Sequence, residues 1–280
     1  MTAATQGAPV VLDTAPDAPL FHPQGDLFVP TAHTRGPWDP GAMHGGAPTA
    51  LLAQHLDALA GERRLARMTF EFLGPVPIAP VSVTATVLKP GRNFQLLEAA
   101  LSDEAGRPLV LARAVALAPG AVGGLGADAA LGALKRTPRP PQEGVLSPFA
   151  ASAGGEAEGM HRTGMELRYL SGSINENGPA LVWLRLVRDL VDGEAPAPAA
   201  RVCAAADFGN GVSHVVGFDT HVFVNTDLTI TLLREPVGPW VLLDSRTHID
   251  ASGIGWAVSD LHDAHGPIGQ SQQTLFVRSR

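Results

Sequence analysis

A single cysteine, Cys203, stands in 280 residues, so no intrachain disulfide can form. Its neighbours are alanines, the setting of a small buried thiol rather than of an activated nucleophile. No Gly-x-Ser-x-Gly run occurs, which leaves a serine-hydrolase reading without its nucleophile. No Cys or His set has metal-ligand spacing. His262 and His265 flank a polar turn and read as solvent-exposed, so neither a metal nor a cofactor is expected. No run of ~20 apolar residues could span a bilayer. Met1 to Leu20 has neither the basic start nor the apolar core of a secretion signal. The 20 basic residues are outnumbered by 27 acidic ones, give a formal charge of −7 and form no dense patch, which argues against nucleic acid as partner. The expectation is a cytoplasmic enzyme or binding protein.

What is present suits a sizeable core: 45% of residues are apolar and 17% charged. Residues 1–25 read as a loose, flexible arm. Within 26–118, Leu27 to Thr31 is a short strand candidate and Gly36 to Gly41 is turn chemistry. His44-Gly45-Gly46 then opens a helix from Ala47 to Ala60, with Pro48 in its first turn and Gly61 as its stop. Met68, Phe70 and Phe72 alternate with polar residues, as do Val81, Val83, Ala85 and Val87; Phe94 to Leu101 and Leu109 to Leu117 complete an antiparallel meander. Residues 119–160, rich in Gly, Pro, Ala and Ser, form a linker with a short helix candidate at Ala129 to Leu134. Gly124 to Ala129 mimics a nucleotide loop but lacks the parallel-sheet context, so it reads as structural. Residues 161–280 give strands at Gly164 to Leu170 and Ala180 to Arg188 and a helix at Pro198 to Ala206. Further strands follow at Phe223 to Leu233, Trp240 to Ile249, Gly255 to Leu261 and Gly269 to Val277.

The two parts repeat each other. Leu73-Gly74-Pro75-Val76 lies over Arg234-Glu235-Pro236-Val237, and Asp103-Glu104-Ala105-Gly106 over Asp263-Ala264-His265-Gly266. Both landmarks recur at nearly the same separation, so the chain reads as an internal duplication. On this overlay the counterpart of Gln273 is Arg113.

Several strings carry a family resemblance by their order and spacing. In the first part these are His44-Gly45-Gly46 and Phe70-Glu71-Phe72-Leu73-Gly74-Pro75-Val76-Pro77. In the second they are Val182-Trp183-Leu184-Arg185, Ala206-Asp207-Phe208-Gly209-Asn210-Gly211, Asn225-Thr226-Asp227-Leu228-Thr229 and Gln272-Gln273-Thr274-Leu275. The chain resembles the acyl-CoA thioesterase II-like family of double hot-dog proteins. The resemblance implies an α+β fold, a tandem hot-dog in which each half is a central helix wrapped by a curved antiparallel sheet. It implies an acyl-CoA substrate and, by fold analogy, a homo-oligomer.

The family holds an attacking water with an acid, a hydroxyl residue and a glutamine. These fall on Asp207, Asn225 and Gln273, with Asn225 departing from the expected Thr. An amide both donates and accepts, so it can still hold a water. His44, Gly45, Gly46 and Thr226 are the substrate-binding candidates; the Gly pair resembles the loop whose backbone N–H groups polarise a thioester carbonyl. Each residue also has a structural reading: Asp207 as a helix cap or turn, Asn225 as a partner for a backbone group and Gln273 as a buried amide needing one. Two other functions compete. One is a hot-dog hydratase or dehydratase, suggested by Asp207 and His214; the other is an acyl-CoA-binding protein without chemistry.

Overall fold

In the computed structural model, residues 12–120, 139–147 and 158–280 are described. The helix candidate at Ala129 to Leu134 and the Gly124 to Ala129 run lie outside them. The strands are β1 (Phe21–Gln24), β2 (Leu27–Pro30), β3 (Arg64–Phe72), β4 (Val81–Lys89), β5 (Phe94–Asp103), β6 (Pro108–Leu117) and β7 (Val145–Leu146). They continue as β8 (Met165–Ser171), β9 (Ala180–Leu186), β10 (His221–Asn225), β11 (Asp227–Leu232), β12 (Val241–Ile249), β13 (Ile254–Asp263) and β14 (Gly266–Ser279). The helices are α1 (Gly46–Ala60), α2 (Pro198–Ala206) and the single turn α3 (Gly209–Val212).

All strands join one antiparallel sheet in the order β1-β2-β4-β5-β6-β3-β11-β14-β13-β12-β9-β8-β7, with β10 pairing β14. The order reads alike from both ends. Next to the central β3–β11 pair lie β6 and β14, then β5 and β13, then β4 and β12. Thr69 and Thr229 face each other across the β3–β11 seam, their hydroxyls 3.2 Å apart. Helix α1 is buried on nearly every side: Ala47, Ala50, Leu51, Leu52, Ala53 and Leu56 have no exposed surface because sheet and α2 both cover it. Small residues allow this approach, and α2 answers with Ala200, Cys203, Ala204 and Ala205, also fully buried. The Cys203 Sγ lies 3.7 Å from Met68 Sδ, and burial pushes its thiol pKa up.

Three local expectations change. Part of the 1–25 arm is built in: β1 pairs β2, Leu20 and Phe21 are fully buried, and their N–H groups donate to Asp189 and Leu190 of the second part. Four residues containing Pro23 are too short for a strand pattern, so this docking left no periodicity to read. The linker supplies β7, the outermost strand, and Arg139, whose carbonyl accepts from Trp183 Nε1. His262, expected at the surface, is buried on β13, while His265 is exposed in the turn. His262 still pairs within β13, past a register shift between Leu261 and His262, so its place beside a polar turn does not expose it.

Candidate functional site

Asp207 follows directly on α2 and closes its last turn. Only 4% of its surface is exposed, and a buried carboxylate requires partners on both oxygens. Asn225 Nδ2 donates to Oδ1 at 3.0 Å, and Gln273 Nε2 reaches the same oxygen at 3.5 Å. His44 Nδ1 stands 2.9 Å from Oδ2. The three residues proposed from sequence therefore converge, and His44 joins them from the other half of the chain.

Each partner is aimed by a specific local feature. Asn225 ends β10 where the β14 register slips by one residue: Asn225 opposes Leu275, but Thr229 opposes Gln272. In this bulge Asp227 Oδ1 accepts the Thr274 N–H at 2.9 Å in place of a backbone carbonyl. Gln273 points inward from β14 and is 1% exposed. Its Oε1 accepts the Asn210 N–H at 3.0 Å, and its Nε2 donates to the Asp207 carbonyl at 3.1 Å, a group left orphaned at the helix end. Gln273 thus ties α2, α3 and β14 together and faces the carboxylate from behind. His44 is stacked on Phe208, with ring centres 4.2 Å apart.

The glycines are explained by close approach. A Cβ on Gly45 would sit 2.8 Å from Asp207 Oδ2 and 2.9 Å from Phe72 Cζ; one on Gly46 would sit 2.7 Å from the Ala204 carbonyl. One on Gly209 would sit 2.9 Å from Gln273 Oε1. The start of α1 therefore abuts the end of α2, and its positive dipole end lies against the carboxylate.

In front of Asp207 opens a cavity of 190 Å³, with Asn225, His44 and Gly45 on its wall. Aromatic rings dominate the remainder: Trp38 stacks on Phe218 at 5.4 Å and meets Phe223 edge-on at 4.7 Å. His161 also lines it. Burial, reinforced by the charges of His44 and Arg162, pushes its pKa down to about 3. Neither His161 nor the aromatic wall was legible as a site, because Trp38, His161 and Phe218 lie on loops and turns and Phe223 on β10, in distant parts of the chain.

Two candidates fall away from the cavity. Thr226 is exposed, with its hydroxyl on Asp227 Oδ1 and the Thr274 carbonyl. His214 is buried but bonds the Ile174 carbonyl at 2.9 Å instead of Asp207. Gly46 backs the wall without lining it. The repeat also needs one correction. Strand pairing places Thr69 opposite Arg113 and Thr229 opposite Gln272, so the spatial counterpart of Gln273 is the buried Ala114. A one-residue slip changes the face, and Arg113 instead pairs with Glu98 in solvent. Among the described residues no three His, Cys, Asp or Glu side chains are placed to hold a metal.

A family model described as the acyl-CoA thioesterase N-terminal domain matches residues 34–118, and one described as the acyl-CoA thioesterase C-terminal domain matches residues 137–277. Among solved structures, a protein assigned to the thioesterases from Novosphingobium aromaticivorans has a TM-score of 0.68 at 23% identity, covering 92% of this chain and 98% of that one. A conserved protein of unknown function with a hot-dog fold from Alicyclobacillus acidocaldarius gives 0.67 at 16% identity, over 93% and 95%. The acyl-CoA thioesterase II TesB2 of Mycobacterium marinum gives 0.56 at 14%, over 92% and 93%. No curated protein sequence gives a significant match. The two domain matches span both halves of the site, and the chain belongs to the acyl-CoA thioesterase family, as a thioester hydrolase of hot-dog fold.

Proposed function

We propose that the chain is a tandem hot-dog enzyme that hydrolyses an acyl-CoA thioester at one site centred on Asp207. The observation that carries this reading is the buried carboxylate, fixed by Asn225, Gln273 and His44, at the floor of an apolar cavity. The sheet order, alike from both ends with one long helix per half, supports the tandem fold.

The acyl group occupies the aromatic cavity with its carbonyl toward the Gly45 backbone on the wall, where the positive dipole end of α1 stabilises the oxyanion. The negative charge of Asp207 polarises the attacking water, and the Asn225 amide helps to hold it. Gln273 positions the carboxylate. Hydrolysis yields the free acid and the CoA thiol. The N-terminal half has Ala114 where Gln273 stands, so it offers no second site.

Thiol release from a panel of acyl-CoAs tests this reading. Activity should be readily detected in the wild type and should fall by about 10²-fold or more in Asp207→Asn. Binding without thiol release would favour the non-catalytic protein, and loss of enoyl absorbance without thiol release would favour a hydratase. We place the enzyme in the cytoplasm as a homo-oligomer; Ile254, Trp256 and Phe276, exposed together on β13 and β14, suit a subunit contact. Light scattering of the purified chain would give its mass, and a monomer would remove the homo-oligomer from the proposal.

A further inference from the structure

We infer that His44, through Nε2, is the group that takes the proton from the attacking water, and that Asp207 holds its ring for this task. The inference rests on the hydrolase reading above. Both oxygens of Asp207 are already engaged, Oδ1 by Asn225 and Gln273 and Oδ2 by His44, and the carboxylate is almost wholly buried. It is poorly placed to accept a further proton from a water in the cavity. His44 has the complementary arrangement. Its ring is fixed by the Phe208 stack and by Asp207, it lies on the cavity wall, and its Nε2 has no hydrogen-bond partner among the described residues.

The tautomer decides what Nε2 can do. An ionised carboxylate only accepts, so the 2.9 Å contact is a hydrogen bond only with the hydrogen on Nδ1. The Gly46 N–H also approaches Nδ1, at 3.1 Å, and would favour the opposite tautomer. Charge–dipole strength favours the Asp207 bond. With its hydrogen on Nδ1, the ring presents the Nε2 lone pair to the cavity. The other titratable groups on this cavity wall are Asp207 after α2, His161 on the turn before β8, and Asp39 on the loop before α1. His161 is kept neutral by burial and adds no positive charge.

The step balances without a co-reactant. Nε2 takes one proton as the water oxygen bonds to the thioester carbonyl carbon, giving a tetrahedral oxyanion and an imidazolium held by Asp207. The oxyanion collapses, the C–S bond breaks with its electron pair on sulfur, and Nε2 returns the proton to the thiolate.

The test is His44→Gln and His44→Ala in the full chain, assayed by thiol release across pH, with thermal melts to verify folding. We expect kcat to fall by about 10²–10⁴-fold with little change in KM, the acidic limb of the profile to disappear, and free imidazole to restore part of the His44→Ala rate. Activity of His44→Gln within about threefold of wild type, with the acidic limb retained, would overturn the inference while leaving the hydrolase reading intact. A wild-type chain inert toward every acyl-CoA would remove the hydrolase reading and this inference with it. Should both variants fail to fold, ¹⁵N spectra of histidine-labelled wild type decide: hydrogen on Nδ1 of His44 supports the dyad, and hydrogen on Nε2 alone overturns it.

Discussion

At the scale of single residues, the site is a carboxylate in a place where an unpartnered charge would be costly, and its neighbours are chosen accordingly. Gln273 shows how a mid-strand amide in an apolar run can be a tether: both ends of its amide are used, one on α3 and one on α2. Replacing it by alanine should cost about 1–3 kcal/mol through the orphaned Asn210 N–H and Asp207 carbonyl, read as a lower urea midpoint alongside the loss of thiol release. Gly45 has no alternative, because a methyl group there would collide with Asp207 and Phe72. Gly45→Ala should displace the carboxylate and reduce kcat at least about tenfold; an unchanged kcat would mean that the helix start yields instead. His161 gives a pH signature. Its folded pKa, about 3, lies below the unfolded value near 6.5, so the unfolded chain binds more protons between those limits and stability falls as pH drops through that window. The slope from this group is at most about 1.4 kcal/mol per pH unit, and His161→Gln should flatten the pH dependence of denaturant melts between pH 4 and 6.5.

At the scale of elements, the hairpin strings that revealed the duplication are explained by one device used twice. Asp103 and Asp263 each accept the N–H two residues on, and Gly106 and Gly266 each take a positive φ that closes the turn. The two copies differ in burial. Asp103 faces solvent beside Arg107, whereas Asp263 is fully buried and clamped by both guanidinium nitrogens of Arg234. Burial alone would raise the Asp263 pKa, but the Arg234 hydrogen bonds and those from the Val237 and His265 N–H groups hold it below the usual carboxylate range. Its contribution is present above the unfolded carboxylate pKa and is lost as pH falls through the lower folded value. Asp263→Ala should cost about 3 kcal/mol in a denaturant melt, because Arg234 is left partly buried and unpaired, while Asp103→Ala should change the midpoint far less. The helices at Ala47 to Ala60 and Pro198 to Ala206 were legible from helix-forming runs with proline in the first turn, and most strands from a period of 2 that persisted over many residues. The bulge at Thr226 and Asp227 was not: it splits one expected strand into β10 and β11 and shifts the facing of the residues that follow, and nothing in the alternation of side chains marks an inserted residue.

At the scale of the molecule, the halves are joined through β11, which has β3 on one side and β14 on the other. Every N–H of its interior therefore serves one neighbour or the other, and a proline cannot be accommodated. Thr229→Pro should lower Tm by about 5 °C or more and abolish thiol release, although Thr229 touches no residue of the site. Retained activity would show that the halves hold together without this seam.

The amino-acid order alone determined the elements, their duplication and the family resemblance, because those depend on short-range periodicity and on strings of neighbouring residues. It also singled out Asp207, Asn225 and Gln273. Only the tertiary structure decided that His44 meets Asp207, that Ala114 is the counterpart of Gln273, and that Thr226 and His214 stand apart. These are matters of which face a strand presents and which chain ends abut. Such choices are made by one-residue bulges and by glycines at close contacts, whose effects reach across more than a hundred residues and leave almost no local mark.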